Sequence, residues 1–142
     1  MRATCRLSLL GVAVVLAGCT LSDEYSPPTP AEADFVAAEF EGYKHSTPAG
    51  EVMTTPEGRT VYTYAKEAKG SPSCYGPCAE DWPPVLAPAH AKPFGDLTLL
   101  KRIDGKRQWA YRGQPLYLYH EDKAAGDVKG NNKDDSWHVV VL

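Results

Sequence analysis

Tyr62-Thr63-Tyr64-Ala65-Lys66-Glu67 and Tyr117-Leu118-Tyr119-His120-Glu121-Asp122 are two versions of one pattern, set 55 residues apart. The same offset carries Gly58 onto Gly113, Val61 onto Leu116, Trp82 onto Trp137 and Val85 onto Val140. The chain holds only three Trp and eight Tyr, so these coincidences mark an internal duplication. Within each copy the two tyrosines are two residues apart and point to one face of a strand. Val61 and Thr63 point to the other face in the first copy, as Leu116 and Leu118 do in the second. A buried Tyr needs a partner for its hydroxyl. The acid three residues after the second Tyr, Glu67 or Asp122, is placed to supply that partner or to cap the loop backbone. Trp82 and Trp137 then offer large rings to the core. Two units are too few for a solenoid. They are expected to pack as two related sheets or one pseudo-symmetric sandwich.

Outward from these motifs, short apolar runs alternate with turns. Glu51–Thr54 and Thr60–Ala65 flank Pro56-Glu57-Gly58, a hairpin signal. Leu97–Ile103 and Arg107–Tyr111 flank Asp104-Gly105, a pair that suits a tight hairpin. Arg112-Gly113-Gln114 makes the next turn, Pro115–Tyr119 the next strand, and Trp137–Leu142 a closing β-branched run. No amphipathic helix is expected after residue 50. The fold class is therefore mainly β: a small antiparallel β domain over 46–142, built from two related repeat units at about 51–86 and 106–142.

The N-terminus reads as an address. Arg2 and Arg6 precede an apolar run from Leu7 to Ala17, the length of a signal-peptide core and too short to span a bilayer. It ends in Leu16-Ala17-Gly18-Cys19, which resembles the bacterial lipobox. Residues 1–18 are thus expected to be removed as a lipoprotein signal peptide, with Cys19 carrying diacylglycerol and further acyl chains such as palmitate. Residues 19–45 are expected to be a tether. Pro27, Pro28 and Pro30 lie among scattered acids with little apolar surface to bury. Phe35, Val36 and Phe40 leave 35–45 open to a short helix or a first strand. Thr20, rather than Asp, follows the lipidated Cys. In a Gram-negative host this points to the outer membrane, facing the periplasm.

Length and charge close off other classes. A chain of 142 residues suggests one domain. Its formal net charge of −3 becomes −5 once Arg2 and Arg6 leave with the signal. That argues against nucleic acid as a partner, because phosphate binding needs clustered Lys and Arg. The expected partners are the membrane, through the N-terminal lipid, and an unidentified envelope protein or ligand.

The doubled Tyr-x-(Phe/Trp/Tyr)-x-x-Asp pattern resembles a family of bacterial lipoproteins known by that motif, also called the secreted-repeat family. Tyr117–Asp122 fits it fully, and Tyr62–Glu67 fits with Glu for Asp. Cys74-Tyr75-Gly76-Pro77-Cys78-Ala79-Glu80-Asp81-Trp82-Pro83-Pro84, Gly113–Tyr117 and the stretch from Gly126-Asp127 to Trp137-His138-Val139-Val140 are similar too. The resemblance covers about residues 46–142. It implies an exported or lipid-anchored β-rich protein and no established reaction.

Four Cys look at first like two disulfides. Cys5 leaves with the signal and Cys19 carries lipid, so Cys74 and Cys78 remain to close one small loop in an oxidising compartment. The offset-matched positions in the second copy are Lys129 and Lys133, so the architecture does not require the bridge. The alternative is a periplasmic copper-binding or thiol-redox protein. A Cys-x-x-x-Cys pair can hold Cu(I) with a distant companion such as His45, His90, His120, His138 or Met53. None of these stands at a recognisable ligand spacing, and no metal site or other cofactor is expected. Ser71, Ser73 and Ser136 lack a nucleophile context. Asn131-Asn132 and Asp134-Asp135 lack the spacing of a calcium loop. Lys101, Arg102, Lys106, Arg107 and Arg112 surround two hairpin turns and read as solvated hairpin ends. No catalytic constellation of nucleophile, base and orienter appears. The expected function is therefore a non-enzymatic binding or structural module of the cell envelope.

Overall fold

The computed structural model describes residues 43–142. The expected signal peptide with Cys5, the expected lipidation site Cys19 and the expected tether up to residue 42 lie outside the described residues. The domain is mainly β, with seven short strands in three small antiparallel sheets. β1 (Lys44–Thr47) and β2 (Gly50–Met53) form a hairpin with Lys44 opposite Met53. β3 (Tyr62–Tyr64) pairs with β7 (Trp137–Val139). β4 (Leu97–Lys101), β5 (Arg107–Tyr111) and β6 (Gln114–Pro115) form the third sheet.

Local sequence explains the turns. The β4–β5 hairpin closes where the Gly105 amide donates to the Arg102 carbonyl at 3.0 Å, with Gly105 at φ 82°. Asp104 Oδ1 accepts the Lys106 amide at 3.1 Å, so this aspartate caps the turn it begins. Arg112 and Gly113 both have positive φ, 50° and 82°, as a two-residue turn matching strand twist requires.

Two strands depart from the turn reading. Pro56-Glu57-Gly58 closes a loop, but Thr54 and Thr60 meet there only as one isolated bridge. β2 instead takes β1 as its partner, and β3 takes the distant β7, where Tyr62 and Tyr64 meet the Tyr119 and Trp137 rings of the second repeat. β1 also takes up Lys44 and His45, which the tether reading had placed outside the domain. A five-residue helix, α1 (Pro77–Asp81), stands where no helix was expected. Pro77 begins it, with φ already fixed for a first turn, and the Trp82 amide closes it on the Cys78 carbonyl at 2.8 Å.

The strand alternation sorts the interior into two clusters. Met53, Val61, Val85, Ala91, Leu97, Trp109, Leu116 and Val140 pack as an aliphatic core around one tryptophan. Tyr62, Cys74, Trp82, Tyr117, Tyr119 and Trp137 pack as an aromatic core. Val61 and Leu116 face the first while Tyr62 and Tyr117 face the second, as a period of two demands. Each half keeps a small sheet of its own, β1–β2 in the first and β4–β5–β6 in the second, while β3–β7 is shared between them. Through this shared sheet the repeats interlock, and the aromatic core is the place where they cross.

Candidate functional site

The crossing starts at Tyr62 and Tyr117, the first tyrosines of the two motifs. Each donates its amide to the other's carbonyl, at 2.8 and 2.9 Å. Contacts around this pair come in mates related by the 55-residue offset. The Val140 amide donates to Val61 and the Val85 amide to Leu116. The Ala65 amide donates to Ser136, and the His120 amide to Asp81. In every case the partner belongs to the other repeat, so a pseudo-two-fold axis runs through the Tyr62–Tyr117 bridge.

The sheet around that axis is complete on one side only. β3 lies on β7 with Thr63 opposite His138. Its mate, Tyr117–Tyr119 on Trp82–Pro84, keeps the Leu118 amide bond to Pro83 and a bridge between Pro84 and Tyr117. Pro83 and Pro84 have no N–H to give, so this second ladder is not extended.

The side chains repeat the exchange. Tyr62 donates its hydroxyl to Asp122 at 2.6 Å, and Tyr117 donates to Glu67 at 2.9 Å. Each acid therefore serves the tyrosine of the opposite repeat, not the motif that carries it. Both acids also gather their own loops. Asp122 accepts the Lys129 amide and Glu67 accepts the amide and hydroxyl of Ser73. The Glu-for-Asp departure in the first motif leaves this acid contact intact. Burial raises both carboxyl pKa values above the ordinary range. It pushes the Tyr117 phenol up to about 12, helped by the neighbouring Glu67 charge, and the Tyr62 phenol higher still.

Around these phenols the rings are symmetric as well. Trp82 and Trp137 stack face to face at 3.8 Å and 2°. Tyr64 stacks on Trp137 and Tyr119 on Trp82, each at 4.4 Å. Tyr62 meets Trp82 edge-on at 5.4 Å, and Tyr117 meets Trp137 edge-on at 5.3 Å. All eight motif residues singled out from the sequence thus come together in one interior.

Cys74 and Cys78 form a disulfide at the edge of this interior, with Cys74 buried. The pair joins the loop before α1 to the helix itself. Arg102 holds the same loop from the far side and corrects the reading of the basic cluster. It is no solvated hairpin end but 2% exposed. Its guanidinium donates to the Cys74 carbonyl at 2.9 Å and to Gln108 Oε1 at 2.6 Å, and lies 4.2 Å from the Tyr75 ring centre. Gln108, fully buried, passes the link on to the Leu116 carbonyl. No sequence pattern marks this Arg–Gln pair, because an Arg among other basic residues beside a turn reads as surface. Lys101, Lys106 and Arg112 are exposed, Arg112 pairing with Asp96, while Arg107 is half-buried and donates to the Ala89 and Ala91 carbonyls.

The residues weighed for chemistry are dispersed. Met53 is in the aliphatic core, and the His45 ring lies against Gly126. His120 is beside Asp81 and Glu121 at the surface. His138 contacts Asn132 Oδ1, while Asn131 Oδ1 accepts the Val139 amide, so the Asn pair fastens its loop to β7. Among the described residues no group of three or more His, Cys, Asp or Glu could hold a metal ion.

A family model for a secreted repeat of unknown function matches the chain twice, over residues 45–86 and 98–141. The chain belongs to that family. The two matched spans are the two halves that cross at Tyr62 and Tyr117, so one copy of the secreted repeat supplies a motif strand and a tryptophan strand but pairs neither with itself. No curated protein and no solved structure matches the chain.

One surface feature was not legible beforehand. Leu86, 46% exposed, separates two shallow apolar hollows. One, of about 200 Å³, lies between Pro56, Val85 and Trp109. The other, of about 390 Å³, lies between Ala87, Ala89 and the Gly105–Arg107 turn.

Proposed function

We infer that this secreted-repeat protein is held in the bacterial cell envelope by lipid on Cys19, and that its β domain is a non-enzymatic structural and binding module. The observation that carries this reading is the fate of the motif residues. Tyr62, Tyr117, Glu67, Asp122, Trp82 and Trp137 are all buried, and each bonds to or stacks on a residue of the other repeat. Residues kept for packing serve a scaffold, and recognition is left to the exposed loops and edges. The Leu16-Ala17-Gly18-Cys19 tetrapeptide supports the anchor. Two or three acyl chains would hold the domain firmly, at about 0.8 kcal/mol per buried CH₂.

Cys19→Ser in the full chain tests the anchor. It should block processing and release the protein from the membrane fraction; unchanged fractionation refutes lipidation. Thiol titration with metal analysis on residues 20–142 separates the module from a copper or thiol-redox protein. Two titratable thiols with stoichiometric copper would overturn the structural reading, since a closed disulfide offers no thiolate to a metal.

A further inference from the structure

The aromatic interior does something that packing alone does not ask of it: four rings form one continuous column. Tyr64 stacks on Trp137 at 4.4 Å and 21°, Trp137 on Trp82 at 3.8 Å and 2°, and Trp82 on Tyr119 at 4.4 Å and 30°. Aromatic pairs in proteins favour offset or edge-on contact with centroids about 4.5–7 Å apart. Parallel indoles at 3.8 Å are closer than that, and their π systems overlap. Trp and Tyr are also the side chains that give up one electron most readily, and a vacancy passes quickly between touching rings.

Beside the column stand two phenols with a proton acceptor already in place. Tyr62 is edge-on to Trp82 and donates to Asp122; Tyr117 is edge-on to Trp137 and donates to Glu67. A phenol that loses an electron becomes a strong acid, and a hydrogen-bonded carboxylate takes its proton without diffusion. The ends of the column differ. Lys133 donates to the Tyr119 hydroxyl and holds its ammonium 4.9 Å from that ring's centre. A cation there opposes a second positive charge. Tyr64 has no such cation at its offset-matched position, which is Cys78 of the disulfide, and it is only half-buried.

We propose that Tyr64, Trp137 and Trp82 conduct oxidising equivalents from the surface to a protected tyrosyl radical at Tyr62, with Tyr117 as its symmetric alternative. A high-potential one-electron oxidant of the envelope, such as a peroxide-derived radical, takes one electron from Tyr64, whose phenolic proton passes to solvent and returns when the ring is refilled. Trp137 refills Tyr64, Trp82 refills Trp137, and Tyr62 refills Trp82. As Tyr62 loses its electron, its proton passes to Asp122 Oδ2, leaving a neutral phenoxyl radical and a carboxylic acid. The oxidant has gained one electron, Tyr62 has lost one, and the proton has stayed inside the protein. A one-electron donor at the surface reverses the sequence only slowly, through the same three rings, and the proton returns. The domain would then store or discharge single oxidising equivalents in the envelope.

Flash photolysis of the purified domain with a ruthenium polypyridyl sensitiser and persulfate, read by transient absorbance and freeze-quench electron paramagnetic resonance, tests this. The expected result is a Trp radical that gives way to a tyrosyl radical resistant to ascorbate. Asp122→Asn should shorten the tyrosyl lifetime by about an order of magnitude, and Trp82→Phe should slow its formation. Should Trp82→Phe fail to fold by circular dichroism, the ascorbate resistance of the unaltered protein and the spectrum of Tyr62→Phe combined with Tyr117→Phe decide. A radical quenched by ascorbate as fast as free tyrosine's, or unchanged in that double variant because it sits on any other tyrosine, overturns the proposal.

Discussion

Tyr62 donates to Asp122 across sixty residues of chain, and its symmetry mate Tyr117 donates to Glu67 across fifty. The exchange ties each repeat's strand to the other's loop at the point where the backbones also cross. One buried hydroxyl thereby reports on the assembly of both halves. The two acids are not equivalent. Asp122 accepts through both oxygens, Oδ2 from Tyr62 and Oδ1 from the Lys129 amide. Glu67 takes all its donors on Oε2 and leaves Oε1 buried without a partner.

That difference predicts unequal amide substitutions. Asp122→Asn turns one of two used acceptors into an NH₂ facing a donor, and should cost about 1–3 kcal/mol. Glu67→Gln can place its one oxygen where Oε2 stands and its NH₂ where nothing is bonded, so it should cost well under half as much. Urea denaturation at pH 7 checks the pair. Equal losses would mean the two carboxyls are not used as the structure shows.

The same groups set a pH dependence. Burial raises the folded pKa of Glu67 and Asp122, so each stabilises the fold fully below its unfolded value, near 4.5 and 3.8, and loses that contribution as pH rises through its folded value. Asp127 and Asp104 act oppositely: backbone amides lower their pKa, and their contribution is lost only as pH falls below the ordinary range. Moving from pH 7 to about pH 5 should therefore raise Tm in the native domain relative to Glu67→Gln/Asp122→Asn. Parallel Tm curves for the two proteins would refute this.

Much of this interior was legible because duplication doubles the signal. Rare residues at one offset marked Tyr62, Tyr64, Trp82 and their mates as a set, and the period of two placed Val61 and Leu116 opposite them. The crossing was not legible. A motif of Tyr and acid three residues after the second Tyr reads as local, while the Tyr62–Asp122 bond depends on a backbone crossing that no local pattern encodes. Arg102 was read as surface for the same reason. Its burial rests on Gln108, on the Cys74 carbonyl and on the Tyr75 ring, the last two 28 and 27 residues away in the chain.

Interlocking predicts how the halves behave apart. Residues 43–92 and 93–142 each lack the partner for their Tyr strand, so each alone should be unfolded by circular dichroism. Mixed, they should regain the native spectrum and the fluorescence of stacked Trp82 and Trp137. A folded monomer of either half would show that β3 or Tyr117–Tyr119 can pair within its own repeat.

The disulfide should matter less than the crossing. A bridge between residues four apart closes a very short loop, and chain-entropy reasoning gives about 2 kcal/mol at most. Cys74→Ala/Cys78→Ala should stay cooperative with a loss of about 1–2 kcal/mol, since the Arg102 bond to the Cys74 carbonyl does not involve sulfur. Trp82→Ala, which empties the centre of the column, should cost about 3–5 kcal/mol. The reverse order in denaturant midpoints would make the loop, not the aromatic interior, the source of stability.

Gly130 provides the sharpest steric test of the column. Its backbone presses on the stack: a Cβ there would meet the Trp82 ring at 2.6 and 3.0 Å and the Tyr119 ring at 3.0 Å. Its amide also donates to the Tyr62 hydroxyl at 3.3 Å, so the chain cannot retreat without loosening that phenol. Neither ring can swing aside, because Trp82 is held between Trp137 and Tyr119 and edge-on to Tyr62. Gly130→Ala should therefore cost about 1–3 kcal/mol by overpacking and change the near-ultraviolet circular dichroism of the coupled indoles. Gly70→Ala, where a Cβ meets nothing within 4 Å, is the control for the loss of a glycine as such. Gly70 has φ 77° and should carry only backbone strain, leaving the aromatic spectrum untouched. Identical spectra for both variants would show that the column is looser than its 3.8 Å stack implies.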